Sequence, residues 1–254
     1  MRIHIAIPTF QRPQLLKETT LKLLSAFDES KITIYVEDLF QKELYQNEIG
    51  LAYNIVITST RGIGEKRNWI KTHCRARHLF MIDDDIREIK EWSGACLQPD
   101  QVKTLIKQGF KKCKEAGLRL WGINGFDNCF YMKNTETTNL KFICGNFHGT
   151  ILTQPIIKTP IDLMEDYYNT LEHFKQDGGV LRLNGYGTKT KFFKEEGGIQ
   201  GRFSPEERIE KEIESAKVIC DMFGDKMVKT IVKKNGRVDL RLNNYYKCPI
   251  PTPE

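Results

Sequence analysis

The residues His78-Leu79-Phe80-Met81-Ile82 run directly into three consecutive aspartates, Asp83-Asp84-Asp85. The apolar run reads as a buried strand, and its end gathers carboxylates that repel one another. A hard divalent cation is what most easily holds such a group together. Side chains alternate along an extended chain, so Asp83 and Asp85 point one way and Asp84 the other. Asp83 and Asp85 are therefore the candidate ligands of Mg2+ or Mn2+, with phosphate oxygens and water completing an octahedron. A solvated acidic turn is the plainer alternative. Unpaired buried charge is costly, which favours the metal reading for a triplet that closes a central strand.

The residues before the triplet alternate between strand and helix patterns. Arg2 to Ile7, Lys31 to Val36, Tyr53 to Thr58 and Leu79 to Ile82 read as strands. Leu15 to Phe27, Gln41 to Gly50 and Gly64 to Arg75 read as the helices between them. This order predicts an α/β fold with a mainly parallel sheet and helices on both faces. Ligands of such sheets bind at the carboxyl ends of the strands, where Thr9, Glu37, Asp38, Arg61 and the aspartates fall.

The second half is less regular. Pro99 to Ala116 reads as a helix, and Trp121 to Tyr131 and Lys141 to Leu152 as strands that extend the sheet antiparallel. Pro160 to Phe174 reads as a helix, with short strands at Val180 to Leu183 and Lys189 to Phe193. Ser204, Pro205 and Glu207 give the start of a helix over Pro205 to Phe223. The 254 residues suit one domain, with residues 1–90 as a ligand-binding half and 91–254 completing the site. Seven cysteines without CxxC spacing disfavour a zinc knuckle or a disulfide framework. No apolar run reaches a membrane span, so the expectation is a cytoplasmic protein without a membrane partner.

Two further constellations carry chemistry. In Arg61-Gly62-Ile63-Gly64-Glu65-Lys66-Arg67-Asn68, glycines at a helix start let backbone amides approach a phosphate, and Arg61, Lys66 and Arg67 add positive charge. An ordinary basic helix start is the alternative. The pair Glu165-Asp166 opens a late helix. There, acids can simply suit the helix dipole. An alcohol is a poor nucleophile, however, and a carboxylate within ~3 Å can take its proton. Asp166 is the first choice for such a base, with Glu165 as an orienting or acceptor contact.

On these motifs the chain resembles glycosyltransferases of the GT-A type, whose DxD motif binds a divalent metal and the diphosphate of a nucleotide sugar. Ile5 to Pro13, including Pro8, Thr9 and Arg12, resembles the opening strand and loop that cradle the nucleoside. Tyr35-Val36-Glu37-Asp38 resembles the acidic strand end that accepts the uracil N3–H. The segment with Arg61, Gly64, Lys66 and Arg67 resembles the one that contacts ribose and diphosphate. Asp83 and Asp84 join the donor contacts, and Asp83 and Asp85 hold the metal. Glu165-Asp166 resembles the x-Glu-Asp motif of inverting members. The family's C-terminal histidine ligand has no clear counterpart, since His148 and His173 are lone histidines. Gly197 to Arg202 is either a lid that brings Arg202 to the diphosphate or a plain glycine-rich turn.

Within that family the motif order resembles the phage and kinetoplastid branch related to base J glucosyltransferase. This implies a UDP-sugar donor, with glucose as the expected sugar. The implied acceptor is a hydroxymethylated pyrimidine in DNA, in the cytoplasm of a phage-infected host if the chain is viral. A net charge of +6, basic clusters such as Lys71, Arg75 and Arg77, and the aromatic residues Trp92, Trp121, Phe126, Phe130 and Tyr131 suit a nucleic-acid partner; solvated helix faces for the basic runs and a core for the aromatics are the equal alternative. A protein, saccharide or lipid-linked acceptor is the alternative.

Overall fold

The computed structural model describes residues 1–190, 198, 202–233 and 236–247. Four strands come from the apolar runs of the first half: β1 (Ile3–Pro8), β2 (Ile32–Val36), β3 (Asn54–Ile57) and β4 (His78–Ile82). They pair in parallel in the order β3-β2-β1-β4. Three helical connections join them: α1 (Pro13–Glu18) with α2 (Thr20–Leu23), then α3 (Leu39–Ile49) and α4 (Ile63–His73). β5 (Glu88–Glu91), α5 (Pro99–Glu115), β6 (Leu120–Asn124), β7 (Glu136–Thr137), β8 (Phe147–Ile151), α6 (Glu165–Asp177) and β9 (Leu181–Lys189) follow. The sheet continues from β4 through β8, β6 and β9 to β5, with β7 also on β9. β8 runs antiparallel to both β4 and β6, and β5 antiparallel to β9. The expected parallel sheet with an antiparallel extension is therefore what the chain forms.

The first helix departs from the expected Leu15 to Phe27. It breaks at Thr19, between α1 and α2. The hydroxyl of Thr19 donates to the carbonyls of Leu15 (2.6 Å) and Asp84 (3.0 Å), and that of Thr20 donates to the carbonyl of Asp83 (2.8 Å). Side-chain hydroxyls that compete for carbonyls weaken a helix; here two of them fasten it to the acidic loop.

Other boundaries shift for local reasons. The Trp121 to Tyr131 strand stops at Asn124, whose amide donates to the carbonyls of Asn184 and Tyr186, and a short 3-10 turn covers Cys129–Tyr131. Residues 141–146 stay outside β8, leaving Gly145 free to meet Arg67. α6 begins only at Glu165, because Met164 sits at φ 61°, in the left-handed region. The two short strands expected near Val180 and Lys189 are one strand, β9, and residues 191–193 lie outside the described residues. α7 (Pro205–Phe223) has the expected cap: Ser204 Oγ accepts from the Glu207 amide and Glu207 returns the bond. Behind it, β10 (Val228–Val232) and β11 (Val238–Leu242) form a hairpin that encloses a second core with α6 and α7.

Trp121, expected among the stacking aromatics, is fully buried. Its ring occupies space made by two glycines, Gly109 on α5 and Gly149, its register partner on β8. A Cβ at Gly109 would lie 2.4 Å from the indole. Alanine ordinarily stabilises a helix interior over glycine by about 1 kcal/mol. Gly109→Ala should instead destabilise the protein by about 1–3 kcal/mol, since overpacking outweighs propensity. Denaturant unfolding measures the sign, and a stabilised variant would contradict this packing.

Candidate functional site

The carboxyl ends of β1, β2 and β4 meet at a cavity of about 80 Å³. Pro8, Thr9, Arg12, Lys66, Asp83, Asp84 and Arg202, all expected at the site, line it together with Phe10, Gly62, Ile63 and Gly198. Glu37 and Asp85 stand at its edge through ion pairs with these residues.

The three aspartates have different surroundings. Asp84 is fully buried and takes a forked contact from Arg12, at 2.6 and 3.2 Å, as well as the Thr9 hydroxyl. Its carboxylate lines the cavity, and Oδ1, although within ion-pair distance of Arg12, has no well-formed hydrogen bond among the described residues. Asp83 receives Arg67 at 2.7 Å. Among the described residues the ion-pair partner of Asp85 is Arg12, at 3.6 Å, beyond hydrogen-bonding range. Burial, with Asp84 and Asp83 nearby, pushes the Asp85 carboxyl up to about 7. Burial also raises Asp84, against the opposing pull of Arg12.

An under-compensated carboxylate beside a second one fits a divalent ion. Asp85 and Asp83 are the residues that would hold it. Among the described residues no group of three or more His, Cys, Asp or Glu side chains is arranged around a metal. A divalent ion held by these two carboxylates would take further oxygen ligands from outside these side chains. His148 and His173 give their Nδ1 atoms to the carbonyls of Gly145 and Asn169, and both are buried. Burial pushes His173 down to about 3 and His148 well below its usual range, as befits packed neutral rings.

The α4 segment behaves differently from the sequence expectation. The Gly64 amide, expected to meet a phosphate, donates to Asp162 Oδ1 at 2.8 Å. A Cβ at Gly62 would collide with the Asp162 carboxylate, and one at Gly64 with the carbonyl of Ile161. The two glycines thus make room for the Asp162 carboxylate and the 161–162 backbone, and that internal carboxylate takes the helix N-terminus that an anion would otherwise use. Arg61 is exposed, and its amide donates to Glu65 at 3.1 Å. Lys66 reaches inward, donating to the Thr9 carbonyl at 2.7 Å and standing 3.4 Å from Glu37. Burial lowers it to about 8.

Arg67 lies beneath the cavity. One terminal nitrogen contacts Glu165, and the other reaches Asp83 and the Gly145 carbonyl at 2.7 and 2.9 Å. It joins the acidic loop to the start of α6. Glu165 is thereby committed to an internal ion pair. Asp166 is partly open and accepts the Gly145 amide at 3.2 Å. Burial raises both carboxyls, with Arg67 opposing.

Arg202 lies 4.2 Å over the Phe10 ring and pairs with Glu37. The rest of the expected lid, residues 197 and 199–201, lies outside the described residues. Sequence reasoning missed Tyr45 and Asp162. The Tyr45 hydroxyl bonds the Thr9 hydroxyl (2.5 Å) and the Arg12 amide (2.9 Å). Its position within α3 gave no polar signal.

One turn beyond Arg67, Lys71 donates to the carbonyl of Ile157 at 2.6 Å, and burial lowers it to about 7. An unfolded chain holds that proton up to about pH 10. Between pH 7 and 10 the folded chain has shed it while the unfolded chain has not, so wild-type stability should climb relative to Lys71→Met, by up to ~1.4 kcal/mol per pH unit. Thermal denaturation of both proteins across that range reads the slope, and parallel Tm profiles would remove Lys71 as a titrating buried cation.

No family model and no curated protein matches the chain. Solved structures do. S. aureus TarS 1–349 in complex with UDP-GlcNAc superposes with a TM-score of 0.54 at 17% identity, over 87% of this chain and 67% of that one. Glucosyl-3-phosphoglycerate synthase from Mycobacterium tuberculosis, in complex with Mn2+, UDP and glucosyl-3-phosphoglycerate, gives 0.55 at 11% identity, over 98% and 88%. A mannosyltransferase from Pyrobaculum calidifontis, in complex with GDP-Man and Mn2+, gives 0.50 at 15% identity, over 72% and 54%. The chain spans only 66% of TarS 1–349 in another of its structures. At these identities the likeness is one of architecture: the chain has the GT-A fold.

Proposed function

We propose that the chain is a metal-dependent glycosyltransferase that moves a sugar, glucose in this reading, from a UDP-sugar to a hydroxyl acceptor with inversion. The observation that carries this is the Arg67 bridge, which ties Glu165, the neighbour of Asp166, to Asp83 of the acidic loop. Three fold neighbours bound to nucleotide sugars, or to UDP, support the donor class.

Asp166 takes the proton of the acceptor hydroxyl while that oxygen attacks the anomeric carbon. The nucleoside diphosphate departs from the opposite face. Arg12 and Arg202 are the guanidinium groups at the cavity that can receive its charge. Asp83 and Asp85 would hold a divalent ion, which when bound would supply Lewis-acid neutralisation of the leaving diphosphate. Ligand sites usually measure 300–1,000 Å³. At about 80 Å³, the cavity must open for a donor, with Arg202 leaving Glu37 so that the carboxylate can receive a base.

For the acceptor we propose the hydroxymethyl group of a modified pyrimidine in DNA, flipped out to reach Asp166. Support comes from the net charge of +6 and from the exposed aromatic residues Trp92, Phe126, Phe130 and Tyr131, of which Phe126 and Phe130 each meet the Tyr131 ring edge-on. The same residues can stack a pyranose, which keeps a saccharide acceptor as the second reading.

Asp166→Asn should lower kcat by about 10²–10⁴-fold while UDP affinity stays within about threefold. Turnover near that of wild type would remove Asp166 as base. Because burial raises its carboxyl, the acid limb of kcat/KM should lie above the ordinary aspartate range, rising with pH as the base ionises. Asp85→Asn should abolish the Mn2+-dependent part of UDP binding in calorimetry; undiminished binding would sink the metal assignment. Mass spectrometry of hydroxymethylated DNA incubated with a panel of nucleotide sugars decides the acceptor. Absence of any hexose adduct there, with transfer to an oligosaccharide, would favour the second reading.

A further inference from the structure

A second cavity opens at the opposite end of the sheet. It is a groove of about 950 Å³ around the start of β1, walled by the end of α4, the start of β2 and the middle of α5. Arg2, Lys31, Arg75 and Lys107 line it from four different segments, and all four are exposed. None of them has an ion pair or a side-chain hydrogen bond among the described residues. No aspartate or glutamate lines the groove. The nearest acid to act on Lys31, Asp28, turns to the amide and hydroxyl of Ser30 instead. Lys103 is held on the Ala26 carbonyl and over the Phe27 ring, so it forms wall rather than free charge. His4 and Tyr35, joined at 2.7 Å, also line it.

Four unpaired cations converging on a concave site with no carboxylate focus positive potential there, since clefts lined by one sign of charge concentrate the field. The α4 C-terminus opposes an anion through its dipole, and Arg75 immediately beyond it offsets that. The spread of charges over several segments suits several linked phosphates better than one. We propose that this groove binds linked phosphates, either a small free polyphosphate or the backbone of a nucleic-acid strand. It is separate from the donor cavity and does not depend on the sugar-transfer reading.

The test uses the whole chain and two probes: tripolyphosphate by calorimetry and fluorescent oligo-dT12 by anisotropy, both at low salt. The variant Arg2→Ala/Lys31→Ala/Arg75→Ala/Lys107→Ala is compared with a control that loses the same charge elsewhere, Lys22→Ala/Lys158→Ala/Lys217→Ala/Lys226→Ala. The groove variant should lose at least tenfold in affinity for one or both probes, with the control within about threefold of wild type. Loss for tripolyphosphate alone identifies a small ligand. Loss for oligo-dT12, with a salt slope shallower by about two to three, identifies a strand. Equal losses in both variants, or no wild-type binding of either probe, would overturn the site. Circular dichroism of the groove variant separates lost binding from lost folding, and Lys31→Ala/Lys107→Ala, expected to lose at least threefold, serves if the fourfold variant unfolds. Unchanged binding in that double variant would equally overturn the site.

Discussion

The structure turns on the guanidinium of Arg67. A buried cation needs its charge answered, and here two carboxylates and a carbonyl from three different segments take its terminal nitrogens, while its Nε has no hydrogen-bond partner among the described residues. Removing one partner of such a set typically costs 3–5 kcal/mol, because the others are left buried and unpaired. The constraint is geometric as well as energetic. Asp83 follows the central strand, Gly145 precedes β8, and Glu165 opens α6, so a planar fork of donors fixes three segments that chain connectivity leaves free. Gly145 is glycine for that reason: a Cβ there would overlap the guanidinium.

A second layer holds the acidic loop from the other side. Arg12 engages Asp84, the Thr9 hydroxyl does the same, and Thr19 and Thr20 grip the loop carbonyls. The side chains that grip the loop come from the first twenty residues and from α4, and the Asp83 amide donates to the Asn146 carbonyl at 3.0 Å from the later half. Arg67 bonds both Asp83 and Glu165 directly.

The parallel half of the fold was legible because its signals are local. Apolar runs ending in polar residues gave β1, β2 and β4 to within about a residue, and Ser204 with Glu207 gave the start of α7. Pro8, Thr9, Asp83 and Asp84, which line the cavity, were legible for the same reason, since they close those strands. What escaped the sequence depends on contacts distant in the chain. Asp162 sits 98 positions from Gly64, and the pattern of glycines before a helix reads the same whether a phosphate or an internal carboxylate fills the space. Trp121 looked like an exposed aromatic until Gly109 and Gly149 proved to make room for it. The break at Thr19 requires knowing that the acidic loop lies beside it.

That break gives the N-terminal connection a mechanical role. An unbroken helix over the same residues would satisfy its own carbonyls and could slide along the sheet without disturbing its neighbours. With two consecutive threonines turned outward to Asp83 and Asp84, the connection and the loop form one stiff unit anchored on β1 and β4. Any displacement of α1, even from the solvent side, is then carried directly to the carboxylates, so substitutions on its outer surface acquire a route to the chemistry without touching it.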